Sequence, residues 1–179
     1  MPLREWKKKR QISETKNQWW SYRKDEVILP SGKTGEYHFV HTNGSSMVIP
    51  VLEDGKLLVV KQYRYLAGRE SIEFACGSVK DGSTFEETAR LELAEETGYA
   101  AGELSFAGEF NPYNGVTDEM CKIYIARNLT PVTSIPDETE EFEKIIISSS
   151  EFEQKIETGE IWDGMTLAAW MIVRKNFLK

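Results

Sequence analysis

Three glutamates, Glu92, Glu95 and Glu96, stand at relative positions i, i+3 and i+4 in a stretch with the marks of a helix, so their carboxylates converge on one face. Nothing cationic in that helix sits among them. Most charged runs are simply solvated faces, but angles argue otherwise here. At about 100° per residue, with Phe85 taken as zero, Ala89 falls near ~40° and Leu93 near ~80°, while Glu92 falls near ~−20° and Glu96 near ~+20°. The carboxylates therefore lie inside the apolar stripe. A helix docked through Phe85, Ala89 and Leu93 carries Glu92 and Glu96 toward the body of the protein, where unpaired charge is costly. Oxygen ligands gathered in this way suit a hard divalent cation, Mg²⁺ or Mn²⁺, which takes few carboxylates and completes its shell with water and substrate phosphate.

The helix must be positioned, and its ends are legible. Ser83 and Thr84 each have a glutamate three residues on, Glu86 and Glu87, the reciprocal arrangement that satisfies free amides at a helix start. Gly98 reads as the C-terminal cap. A glycine loop opening at Gly77 leads in.

At this register the stretch resembles the signature of the Nudix hydrolases, Gly-x5-Glu-x7-Arg-Glu-hydrophobic-x-Glu-Glu-x-Gly-hydrophobic, with Gly77, Glu92, Leu93, Glu95, Glu96, Gly98 and Tyr99 in place. The resemblance implies that Glu92, Glu95 and Glu96 bind metal, with the backbone carbonyl of Cys76, just before the box glycine, as a further ligand. Two positions depart from the pattern. Ser83 replaces the first box glutamate, an accessory position in the family, and Leu91 replaces the box arginine, which orients a metal-binding glutamate by a charge-assisted contact. Arg90 does not substitute, because it lies about 100° round the helix and faces Glu86 and Glu87.

The rest of the chain sets bounds. Its 179 residues, 40% hydrophobic, suit one globular domain with an added arm. A net charge of −7 disfavours nucleic acid and anionic membranes as partners, and the basic run Lys7-Lys8-Lys9-Arg10 reads as part of a solvated terminal arm. There is no apolar run long enough for a transmembrane helix and no signal-peptide pattern, so a cytosolic protein is expected. Cys76 and Cys121, far apart in sequence, do not suggest a disulfide framework.

Residues 1–18 carry no clear structural signal. A hairpin follows, Trp19 to Leu29 and Gly35 to His41 joined by Pro30-Ser31-Gly32-Lys33. This resembles the N-terminal extension of Nudix proteins of the ADP-ribose pyrophosphatase type, which implies a homodimer contact and a contact to the nucleobase; Trp19, Trp20 and Tyr22 are aromatic candidates. Met47 to Val51 and Lys56 to Val60 flank Glu53-Asp54-Gly55, a second hairpin signal, and the latter strand runs on into Gln62-Tyr63-Arg64. By the same resemblance Arg64 meets substrate phosphate, Glu73 in the strand entering the box belongs to the substrate site, and so does Gly115 in the loop Asn111 to Glu119 between two further strands, Leu104 to Phe110 and Met120 to Ala126. An acidic segment from Pro131 to Glu143 precedes a strand, Lys144 to Ile147; the family's general base maps best to Glu140, with Glu138 as runner-up. Helices are expected at Ser150 to Thr158 and Met165 to Phe177.

Together the resemblance implies an α+β Nudix fold, a mixed β-sheet sandwiched between α-helices with an N-terminal β-hairpin extension, divided as an arm and hairpin over 1–45 and a hydrolase domain over 46–179. The chemistry implied is hydrolysis of a nucleoside diphosphate linked to a moiety X, with ADP-ribose or a nucleotide sugar first in view; Glu95, Glu96 and Glu140 form the catalytic set. A dinucleotide substrate, or a Nudix-fold ligand-binding protein with little turnover, are the alternatives, the latter motivated by Leu91.

Overall fold

The structure, a computed structural model, describes residues 3–133 and 141–177. It divides into two compact units, Met1–Asn43 with Asn111–Glu119, and Gly44–Phe110 with Met120–Lys179.

The first unit is an antiparallel sheet ordered β1-β2-β3, from β1 (Lys7–Lys16), β2 (Ser21–Ile28) and β3 (Thr34–His41). The turn between β2 and β3 closes through Leu29 N to Lys33 O at 2.8 Å, with Gly32 at φ 83°. The run Lys7 to Arg10 is a strand and not a solvated arm. Its cations meet acids on β2, Lys8 to Asp25 at 2.8 Å and Arg10 to Glu26 at 2.7 Å. Cross-strand pairing of opposite charges supports a sheet edge, and it involves residues too distant in sequence for local patterning to reveal. The segment 111–119 joins this unit through Val40 N to Val116 O at 2.8 Å and His41 Nδ1 to Asp118 Oδ2 at 2.7 Å.

In the second unit β4 (Ser45–Pro50), β7 (Ala75–Ser78), β8 (Tyr99–Phe110) and β9 (Cys121–Pro131) form a four-stranded mixed sheet ordered β7-β4-β9-β8, with β4 and β9 parallel. A second, antiparallel sheet is ordered β10-β5-β6, from β5 (Leu57–Arg64), β6 (Arg69–Glu73) and β10 (Glu143–Ile147). The helices are α1 (Phe85–Thr97), α2 (Ser149–Glu157) and α3 (Gly164–Val173), the last continued by a short 3-10 turn, Arg174–Asn176.

Strand β4 is buried along its length, as a strand covered on both faces must be. Met47 and Ile49 pack with Leu57, Val59, Phe74, Phe152 and Trp170 in the larger core. Val48 points the other way, to Ala89 and Leu93 of α1 and to Tyr124 and Ala126 of β9. The expected hairpin of β4 and β5 is reduced to one bridge, Val51 to Leu57, after which the strands enter different sheets. Both runs are continuously apolar, and burying both faces of each requires two packed sheets where one hairpin would leave a face wet.

Candidate active site

Helix α1 is held at both ends. Of the two possible N-caps the structure selects Thr84: Glu87 N donates to Thr84 Oγ1 at 3.2 Å and Thr84 N donates to Glu87 Oε2 at 2.8 Å. Gly98 takes the left-handed cap at φ 69°. Ser46 Oγ on β4 donates to the Phe85 carbonyl at 2.7 Å, tying the first turn to the sheet. Ala89 and Leu93 are fully buried, so the apolar stripe docks as its periodicity requires.

That docking delivers two carboxylates to consecutive residues of β7. Glu96, 5% exposed, accepts from Cys76 N at 3.3 Å through Oε1. Glu92 lies against Gly77 so closely that a Cβ there would overlap its carboxylate. Glu95, part-buried, stands beside Glu96 on α1. Among the described residues no three His, Cys, Asp or Glu side chains already sit at metal-binding spacing. Two converging carboxylates next to a backbone strand still fit Mg²⁺ or Mn²⁺, which is bound through one or two carboxylates with water and phosphate filling the other positions.

Beside them stands a charge clamp. Glu73, 2% exposed, accepts along one edge of the Arg64 fork, from Nε at Oε1 at 2.8 Å and from Nη2 at Oε2, and Gln62 Nε2 adds a contact at 3.5 Å. The bond to Glu73 raises the guanidinium's affinity for its proton, against the opposing effect of burial, and the charges of Asp163 and Glu96 act in the same direction as Glu73. Arg64 is 45% exposed in its side chain, so its orientation is set from beneath while its outer edge remains open to an anion. Removing it strands a buried carboxylate. Arg64→Ala is expected to cost about 1–3 kcal/mol of stability, less than the loss from a fully buried pair because Arg64 is half in water, with part recovered in Arg64→Ala/Glu73→Gln; urea denaturation of the three proteins checks this. Equal stability of Arg64→Ala and the parent would show the clamp to be idle.

Cys76 faces Cys121 from across β4, a proximity that sequence distance hides. The hydrogen bond with Cys121, then burial, pushes the Cys76 thiol well above the ordinary cysteine range, which disfavours the thiolate. Arg90 pairs with Glu86 at 2.9 Å and donates to the Ala101 carbonyl at 3.3 Å, leaving the acidic cluster untouched. Leu91 is 42% exposed.

The structure thus brings Cys76, Glu92 and Glu96 together and sets Arg64 and Glu73 alongside. Glu140 and Glu138 lie outside the described residues. Tyr22 and Gly115 lie in the first unit: Tyr22 OH meets His38 Nδ1 at 2.5 Å, and Gly115 O accepts from Tyr37 OH at 3.5 Å. Two cavities were not foreseen. One of about 490 Å³ in the second unit is lined by Lys61, Gln62, Tyr63, Tyr65, Glu70 and the chain around Phe142. The other, about 500 Å³ in the first unit, is walled by Tyr37, Phe39, Arg23 and Asp25, with Tyr22 on the opposite face of the sheet by strand alternation. The alternation of β2 and β3 is the signal that could have found the second.

An "ADP-ribose pyrophosphatase" of Bacillus subtilis (strain 168) is 31% identical over 147 residues, covering 81% of this chain and 80% of that protein. A "Methanol dehydrogenase activator" of Bacillus methanolicus is 31% identical over the same length and coverage. A crystal structure of an "ADP compounds hydrolase" superposes with a TM-score of 0.84 at 19% identity, covering 98% of this chain and 95% of that one. The model of the NUDIX domain matches residues 42–168, and with the glutamates of α1 docked on β7 at the box glycine, the chain belongs to the NUDIX family.

Proposed function

We propose that this protein hydrolyses a nucleoside diphosphate linked to a moiety X, ADP-ribose or a nucleotide sugar, releasing a nucleoside monophosphate and X-phosphate. The observation that carries this reading is the delivery of Glu92 and Glu96 to Gly77 and Cys76 beside an arginine whose fork is held by a buried glutamate. Its relatives' names support the substrate class.

Glu92, Glu95, Glu96 and the Cys76 carbonyl would hold Mg²⁺ or Mn²⁺, which when bound supplies charge neutralisation of the diphosphate and a nucleophilic water. Arg64, pre-oriented by Glu73, offers its outer N–H groups to a phosphate oxygen, so the anion is met without reordering the side chain. Glu140 takes the proton of the attacking water as general base. The cavity at Gln62 is of the size that takes a small-molecule group and receives X. The first unit provides the contact to the nucleobase and, through Trp19 and Trp20, exposed at 70% and 46%, the homodimer contact.

A second reading, a regulatory binder with little turnover, is favoured by Leu91 at the box arginine position and by the relative named as an activator. One experiment decides. Monophosphate release is measured from ADP-ribose, ADP-glucose, GDP-mannose, NADH and FAD with Mg²⁺ or Mn²⁺. Metal-dependent turnover on at least one is expected; tight binding with none would give the second reading instead.

A further inference from the structure

Two arginines stand opposite each other where β5 turns into β6. The register pairs Val60 with Glu73, Gln62 with Ser71 and Arg64 with Arg69, so these side chains start on one face of the sheet. Opposed residues have Cβ atoms about 4.5–5.5 Å apart. The turn is closed by Gly68 N donating to Arg64 O at 2.9 Å, which keeps both arginines at the strand ends. Like charges placed opposite each other are destabilising. Arg64 is answered by Glu73. Arg69 has no acidic partner among the described residues; its guanidinium lies over the ring of Trp162, 3.9 Å from the centroid. That ring is itself braced, since Trp162 Nε1 donates at 3.0 Å to the carbonyl of Glu70, the strand residue next to Arg69. Stacking engages the plane of a guanidinium and leaves its N–H edges open to an anion. The same corner of the chain bears on Arg64, because Asp163, the neighbour of Trp162 and the N-cap of α3, acts on it through its charge.

We propose that Arg69 is a second phosphate-binding residue, which with Arg64 forms a two-arginine seat for the substrate's diphosphate. The proposal rests on the reading of this protein as a hydrolase of nucleoside diphosphate derivatives. Each guanidinium is held by its own device, a buried carboxylate under Arg64 and an indole face under Arg69, so little side-chain freedom remains to be lost when the anion binds. The anion in turn offsets the repulsion that the bare pair carries. A contact made to the diphosphate in ground state and transition state alike lowers KM and leaves kcat nearly unchanged.

The probe is inorganic pyrophosphate, titrated in chelator at constant ionic strength by calorimetry. Melting without the anion, and steady-state rates on the five substrates named above, accompany it. The proteins are the parent, Arg69→Gln, Arg69→Lys and Trp162→Leu. Arg69→Gln is expected to melt within about 2 °C of the parent. It should bind pyrophosphate about 10-fold more weakly and raise KM by about the same factor, the size of one lost hydrogen bond to a charged group. Its kcat should stay within about 2-fold of the parent's. Arg69→Lys keeps the charge and loses the stacked fork, so it should fall between the two. Trp162→Leu, which leaves the arginine without its platform, should raise KM less than Arg69→Gln does. Pyrophosphate affinity and KM unchanged in Arg69→Gln would overturn the proposal, as would a parent that does not bind pyrophosphate. A variant that melts several degrees lower yet binds pyrophosphate like the parent would make Arg69 a prop for Trp162 and would equally overturn it. Failure of the hydrolase reading has a different signature: the parent turns over none of the substrates, while pyrophosphate binding still depends on Arg69.

Discussion

Glu96→Gln is expected to keep its fold and lose about 10²–10³-fold in kcat/KM, together with most of its affinity for Mn²⁺. The substitution retains shape and an acceptor oxygen, so the contact from Cys76 N survives. What disappears is the negative charge. A catalytic divalent ion contributes several kcal/mol of charge stabilisation to a phosphoryl transition state, and each ~1.4 kcal/mol is tenfold in rate. Circular dichroism and melting of the variant should match the parent, while steady-state rates and Mn²⁺ titration fall together. A variant with undiminished kcat/KM would remove Glu96 from the site.

Gly77→Ala is the second large effect, and its origin is steric. The Cβ would stand where the Glu92 carboxylate now lies, and the mobile end of a side chain gives way more cheaply than backbone. Gly77 is not among the residues with positive φ, so alanine meets no backbone penalty there and even restricts the unfolded chain. Stability is therefore expected to change little. Metal affinity should fall about 10- to 100-fold, the cost typical of disturbing the support of a metal ligand. Gly98→Ala makes the contrast, since at φ 69° a β-carbon strains the backbone itself. If Gly77→Ala bound Mn²⁺ like the parent, Glu92 would not be a ligand in its present position.

Both predictions concern residues that were legible without coordinates, and the reason is local. Glu92, Glu95, Glu96, Leu93 and Ala89 lie on one helix, whose period of 3.6 residues decides which side chains share a face. The caps, Thr84 with Glu87 and Gly98, depend on contacts within three or four residues. The gap at Leu91 follows from the same register. Strands were legible as runs, but β8 and β9 extend past their apolar cores to Tyr99 and Pro131, because ladder hydrogen bonds continue where side-chain alternation has faded.

Partners from distant segments were not legible. That β4 and β5 part into two sheets follows from burying both faces of each strand. Lys7 to Arg10 became a strand because Asp25 and Glu26 wait on β2. The loop 111–119 joins β3 through Asp118 and Val116. Glu73 as the seat of Arg64, Cys121 as the neighbour of Cys76 and Lys144 at Gly98 are likewise pairings across elements. The sequence by itself determined the helix that carries the carboxylates, since short-range geometry is written in residue spacing. Only the tertiary structure decided which backbone those carboxylates reach, because such contacts depend on how separate elements pack, and spacing along the chain carries no record of that.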